Sequence, residues 1–177
     1  MQTLIFHNPL AGGGKSGRVC LYVKQELNRL GIAYSATERA ADVALSLDKG
    51  PTRVLAIGGD GTFNHLINRA VFSNLTLLPI SAGTGNDLAR VIHGTLHPGK
   101  QLEAALFAEP SPMDVWEVNG VRFLEGCGIG FDGVVAHAAL NMWKGFSNGM
   151  RYVLAVARHL LTAQKFQARI IADNRMC

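Results

Sequence analysis

Short apolar runs of strand length alternate with stretches whose apolar residues fall three and four apart, and this alternation fills the first two thirds of the chain. Residues 3–7, 32–36, 53–57 and 75–80 read as strands. After the first strand, Val19, Val23, Leu27 and Leu30 keep helical spacing, with Ser16 placed to cap the helix and Gly31 to end it. Residues 40–47 and 62–72 give two more helices, the second carrying Phe63, Leu66, Ile67 and Ala70 on one face. A short helix follows the loop at 81–86, and another covers 101–107. Strands that alternate with helices in this way predict a parallel sheet covered by helices.

The pattern changes after Glu109-Pro110-Ser111-Pro112, which has linker chemistry. Val115-Trp116-Glu117-Val118 and Val121-Arg122-Phe123-Leu124 flank Asn119-Gly120, a pair that supplies the positive φ angles of a type I′ hairpin turn. The expected division is therefore an α/β domain over residues 1–110 and an incomplete, mainly β second domain over 111–177, with helical segments at 133–143 and 149–163. A strand at 166–172, turn residues Asp173-Asn174 and a returning arm from Arg175 end the chain inside an apparent hairpin. The expectation is of a chain cut short at its C-terminus, whose unpaired β edge favours homo-oligomers.

Composition narrows the chemistry. A formal net charge of +4 suits phosphate ligands or an anionic membrane surface and is too small to point to nucleic acid. Cys20, Cys127 and Cys177 are far apart and form no metal-ligand spacing. No signal-peptide pattern and no apolar run of membrane-spanning length is visible, so a cytoplasmic protein is expected.

Three loops follow three of the strands, where open α/β sheets bind ligands. They are His7-Asn8-Pro9-Leu10-Ala11-Gly12-Gly13-Gly14-Lys15-Ser16-Gly17, then Gly58-Gly59-Asp60-Gly61-Thr62, then Ser81-Ala82-Gly83-Thr84-Gly85-Asn86-Asp87. Each leads into a helix, so backbone N–H groups and a helix N-terminus can face one anion. Gly12-x-Gly14-x-x-Gly17 fits the dinucleotide fingerprint, and Glu38 lies at a suitable distance, but four residues separate the strand from the first glycine. Gly14-Lys15-Ser16 ends like a P-loop, yet Pro9 sits where its first glycine belongs. In the second loop Asp60 can serve ribose or phosphate-bound Mg²⁺, or simply cap a helix, and Thr62 can cap the helix while donating to a phosphate.

Taken together, Asn8-Pro9 with its glycine-rich continuation, GGDGT at 58–62 and GTGND at 83–87 resemble the diacylglycerol kinase catalytic domain, a group that includes sphingosine kinases and bacterial lipid kinases. Met113-Asp114-Val115, Gly128-Ile129-Gly130-Phe131-Asp132 and the stretch around Arg151-Tyr152 fit the bacterial branch. The resemblance implies a phosphofructokinase-like nucleotide-binding domain followed by a β-sandwich, with ATP and Mg²⁺ between them. It implies transfer of the γ-phosphoryl group to a lipid hydroxyl at the membrane surface, a step of phospholipid metabolism. By position, Asn8, Pro9, Gly12, Thr37, Gly58, Gly59, Asp60, Gly61, Thr62, Asn64 and Thr84 would contact nucleotide, with Asp60 essential. Lys15, Asp87 and Asp114 would form the supporting charged network.

His65 stands where many relatives carry Glu, and the general-base Glu of the family falls beyond residue 177. The expectation is that this chain binds nucleotide but turns over poorly. An NAD-kinase-like phosphotransferase is the rival enzyme; it shares GGDGT but needs an Asn-Glu pair after the third loop, which is absent. A non-catalytic nucleotide-binding fragment is the other alternative. His93, His97, His137 and His159 show no ligand pattern. Trp116, Trp143 and the apolar residues of 153–161 are expected to pack in cores rather than to form a lipid cleft.

Overall fold

The structure, a computed structural model, describes residues 2–47, 50–69, 75–141, 146, 148–162, 165, 167, 169, 171–172 and 175–176. These divide into two compact units, Met1–Glu125 and Gly126–Cys177. In the first, β1 (Gln2–His7), β2 (Ser35–Thr37), β3 (Thr52–Gly58) and β4 (Leu75–Ser81) form one parallel sheet in the order β2-β1-β3-β4. The expected parallel sheet is thus present. Val54, Leu55, Ala56 and Ile57 are all fully buried, as a central strand covered on both faces requires.

Alternation along each strand sorts the side chains into two cores. Leu4, Phe6, Val54 and Ala56 face α2 (Ala40–Leu47) and α3 (Asp60–Ile67), packing with Val43, Phe63, Leu66 and Ile67. Ile5, Leu55, Ile57 and Ile80 face the opposite way. There they meet Val19, Val23 and Leu27 of α1 (Lys15–Arg29) and Leu102, Ala105 and Leu106 of α5 (Pro98–Phe107). A short helix, α4 (Asp87–His93), follows the third loop.

The element ends differ from the sequence expectation for local reasons. Gly31 adopts φ +66° while its N–H donates to the Asn28 carbonyl and that of Ile32 to the Leu27 carbonyl, closing α1 in a Schellman motif. Ile32 therefore serves the helix end, and β2 starts at Ser35 instead. Pro98 occupies the first turn of α5 and sets its start three residues early. Ser16 does not cap α1; it lies inside the helix, fully buried, with its hydroxyl 3.3 Å from His7 Nε2. The expected helix 62–72 begins at Asp60, and residues 70–72 lie outside the described residues.

The Asn119-Gly120 hairpin forms as expected, with φ +49° and +79° at the turn joining β5 (Trp116–Val118) to β6 (Val121–Phe123). It belongs to the first compact unit. Two α3 amides hold it there. Asn68 donates to the Arg122 carbonyl at 2.8 Å and accepts the Arg122 N–H at 2.9 Å, while Asn64 Oδ1 accepts the Leu124 N–H at 3.3 Å. Trp116 is exposed on this hairpin rather than packed in a core.

In the second unit α6 (Phe131–Asn141) packs on α7 (Asn148–Leu160) through Val135, Ala138 and Ala155. A two-residue antiparallel pair, β7 (Ile171–Ala172) with β8 (Arg175–Met176), forms the expected returning arm. Trp143 and the part of helix 133–143 after Asn141 lie outside the described residues.

Candidate functional site

β1, β3 and β4 lie side by side, so their three following loops share one edge of the sheet. The first loop leaves β1 through Asn8, whose N–H donates to the Ile57 carbonyl and whose Oδ1 accepts the Leu10 N–H. The Asn8 amide then donates to Thr62 Oγ1 at 3.0 Å, tying the first loop to the second. Gly12, Gly13 and Gly14 turn with φ of +59°, +62° and +92° into α1. At Gly12 a side chain is impossible as built, because a Cβ would collide with the Ala82 carbonyl oxygen. Nothing approaches the Cβ positions of Gly13 and Gly14, so those two face open space.

The N-terminus of α1 receives no side-chain cap and has no acidic residue in its first turn. A helix start carries unsatisfied N–H groups and a partial positive charge. Lys15 stands on that turn, and with Arg18, Val19, Tyr22 and Pro98 it lines a groove of about 220 Å³. This corner of the first unit is positive and accessible.

The second and third loops meet glycine to glycine. A Cβ on Gly83 would fall 2.5 Å from the Gly59 Cα, and one on Gly58 would run into the Thr62 side chain. Thr62 is the third residue of α3 and caps it as expected, its hydroxyl accepting the Gly59 N–H at 3.4 Å as well as the Asn8 amide. Asp60 does cap a helix, but not its own. Its carboxylate accepts the Asn86 N–H at 2.9 Å and the Leu88 N–H at 3.3 Å, at the start of α4. Asn86, held at φ +60° and buried, closes the third loop by exchanging two hydrogen bonds with the Gly83 backbone. The charge that α4 attracts is therefore already supplied by Asp60.

Glu125, at the end of the hairpin, reaches the same place and was not foreseen from the sequence. Partial desolvation pushes its carboxyl pKa up, and the negative charges of Asp60 and Asp87 push it further. A contact spanning more than sixty residues leaves no local pattern, which is why the sequence gives no sign of it.

The other candidates are distributed unevenly. Thr37 ends β2 beside Phe6, but its hydroxyl donates to Asp42 at 2.6 Å and accepts the Arg39 N–H, securing α2. Asn64 faces the hairpin, as described above. Pro9, Gly61, Thr84, Lys15 and Asp87 are exposed on the loops, with Asp87 4.0 Å from Arg90. Asp114 lies exposed on the segment leading to β5. His65 is exposed on the last turn of α3. Among the histidines without a ligand pattern, His93 is packed with its ring 2.9 Å from the Pro79 carbonyl, and burial lowers its pKa. His137 and His159 line a mostly apolar groove of about 610 Å³ in the second unit. Among the described residues no group of three or more His, Cys, Asp or Glu is placed to hold a metal, and no helix is long and apolar enough to cross a membrane.

An open α/β unit with three glycine loops on one sheet edge is the class that fold and site define. The sequence pattern of the diacylglycerol kinase catalytic domain matches residues 2–118, and the chain belongs to that family. It is 29% identical over 97% of its length to a Pseudomonas aeruginosa protein named "Probable lipid kinase YegS-like", covering 58% of that protein. It is 25% identical over 97% of its length to a diacylglycerol kinase of Staphylococcus haemolyticus, covering 54% of it. The crystal structure of a diacylglycerol kinase from Bacillus anthracis superimposes over 70% of this chain and 49% of that one, with a TM-score of 0.56 and 23% identity. The chain thus spans about half the length of the curated relatives it matches.

Proposed function

We propose that the first unit binds Mg–ATP with its phosphates on the first loop and the N-terminus of α1, and that the protein transfers the γ-phosphoryl group to a lipid hydroxyl. The observation that carries this reading is the pairing of an uncapped, acid-free α1 start with Gly12–Gly14 in left-handed conformations beside it. Backbone N–H groups there can approach phosphate oxygens without interference from side chains, and Lys15 and Arg18 add charge that the phosphates neutralise. The second loop braces the first through Asn8 and Thr62. Phosphoryl transfer needs positioning and charge neutralisation more than covalent help from the protein. The acceptor oxygen bonds to the γ-phosphorus as the bond to the bridging oxygen breaks, ADP leaves and the hydroxyl proton passes to solvent. Mg²⁺ enters with the nucleotide, as part of the substrate. Membership of a family of lipid kinases supports the lipid acceptor; a diacylglycerol-like or sphingoid hydroxyl is the class it suggests.

Calorimetry of Mg–ATP binding by the wild type and Gly12→Ala tests the site. The added methyl must displace either the first loop or the Ala82 carbonyl, and the φ of +59° costs an alanine about 1–2 kcal/mol. Binding by the wild type and at least about tenfold weaker binding by the variant are expected. Equal affinity in both would remove the first loop from the nucleotide site.

A further inference from the structure

We propose that His7 is a positioning residue of the first loop: with Ser16 it closes the base of that loop and holds Gly12–Gly14 in the conformation that receives phosphate. The proposal rests on the nucleotide site argued above. Alternation along β1 puts His7 on the same side of the sheet as Ile5, which faces α1. On α1 the buried residues Ser16, Val19, Cys20, Val23 and Leu27 form the stripe turned to that side. Ser16 brings a hydroxyl to this stripe, fully buried, and a buried hydroxyl needs a partner. Its Oγ lies 3.3 Å from His7 Nε2. Across the ring, Nδ1 lies 3.5 Å from the Glu38 carboxylate, whose side chain is 63% exposed and therefore screened. A ring proton on Nδ1, toward that carboxylate, leaves Nε2 to accept the Ser16 O–H.

The loop needs such a tie because of its composition. Residues 8–15 separate His7 from Ser16, and Gly12, Gly13 and Gly14 among them stand at positive φ. Glycine populates left-handed and right-handed backbone about as readily, so this stretch does not fix its own shape. Its entry is held by Asn8, through the Ile57 carbonyl and the Thr62 hydroxyl. Its exit runs through the exposed Lys15 to Ser16, where the contact with His7 fastens the start of α1 to the end of β1. The core needs no hydroxyl at this place; the tie does. Held at both ends, the loop meets a phosphate without first losing backbone freedom, which is how preorganisation raises affinity.

The test compares the whole 177-residue protein with His7→Ala, Ser16→Ala, the double variant, His7→Gln and His7→Asn. Two readouts are taken: Mg–ATP affinity by calorimetry, and amide exchange at Lys15, whose N–H donates to the Gly12 carbonyl. Each alanine is expected to speed that exchange and to weaken binding by about tenfold, with the double variant no worse than either single one. Gln carries its amide where Nε2 lies and Asn where Nδ1 lies, so His7→Gln should recover most of the loss and His7→Asn little of it. A denaturant midpoint separates loop from fold. Ser16→Ala removes one oxygen atom from a helix that favours alanine, so it decides the matter even where His7→Ala does not fold. Wild-type exchange in Ser16→Ala, additive losses in the double variant, or equal recovery by Gln and Asn would each overturn the proposal. So would wild-type Mg–ATP affinity in a variant whose exchange has risen. If the wild type binds no Mg–ATP while the exchange pattern holds, the tie stands and the nucleotide reading falls, which tells the two failures apart.

Discussion

Asp60 does two jobs that pull on the same experiment. Its carboxylate holds the start of α4 through the Asn86 and Leu88 N–H groups, and it sits on the loop that braces the proposed phosphate site. Removing it leaves two N–H groups without their acceptor, so Asp60→Ala should cost about 2–3 kcal/mol of stability, the usual worth of hydrogen bonds to a charged group. A denaturant midpoint measured beside nucleotide affinity separates the roles. Lost affinity with an unchanged midpoint would place Asp60 on the ligand rather than on α4. Glu125 gives the pH counterpart. Because burial and its acidic neighbours raise its pKa, the folded protein holds that proton more tightly than the unfolded chain does. Stability contributed this way is present below the ordinary Glu value and is lost as pH rises through the raised one. Glu125→Gln cannot ionise, so the melting temperature of the variant should gain on the wild type as pH rises from about 4 to 7. Parallel melting curves across that range would show that Glu125 ionises without cost.

At the scale of elements, the strands and helices of the first unit were legible because each of them obeys a local rule. The buried run 54–57, the helical spacing of Val19 to Leu27 and the Asn-Gly turn all carry their structure in neighbouring residues. What escaped the sequence was partnership across distance. Asn68 reads as an ordinary helix-end amide, yet it pairs with Arg122 as another strand would. Ser16 reads as a helix cap, yet its hydroxyl serves His7 from inside its helix, and Thr62, which does cap, also takes the Asn8 amide across fifty-four residues. An isolated two-stranded hairpin is marginal in water, so β5–β6 depends on that tie. Asn68→Ala should speed amide exchange at Arg122 by about tenfold or more, since two net hydrogen bonds are worth about 1–3 kcal/mol, while β3 amides stay protected. Unchanged exchange at Arg122 would mean that the hairpin stands on its own side chains.

The three buried clusters among the described residues have no residue in common. Two belong to the sheet and its helices, and the third, built on Val135, Ala138 and Ala155, joins α6 to α7 alone. The compact unit that holds the sheet runs past the Pro-rich linker to include the hairpin that α3 has captured. Separate cores imply separate cooperativity. Leu55 is fully buried in the central strand, and Leu55→Ala should cost about 2–5 kcal/mol through lost burial and the cavity it leaves. In native-state hydrogen exchange that loss should appear in β1, β3 and β4, and the amides of α6 and α7 should exchange at wild-type rates. If the two helices loosened in step with the sheet, the units would be one folding entity despite their separate cores. Independent protection instead means that the second unit holds its small core without drawing on the sheet.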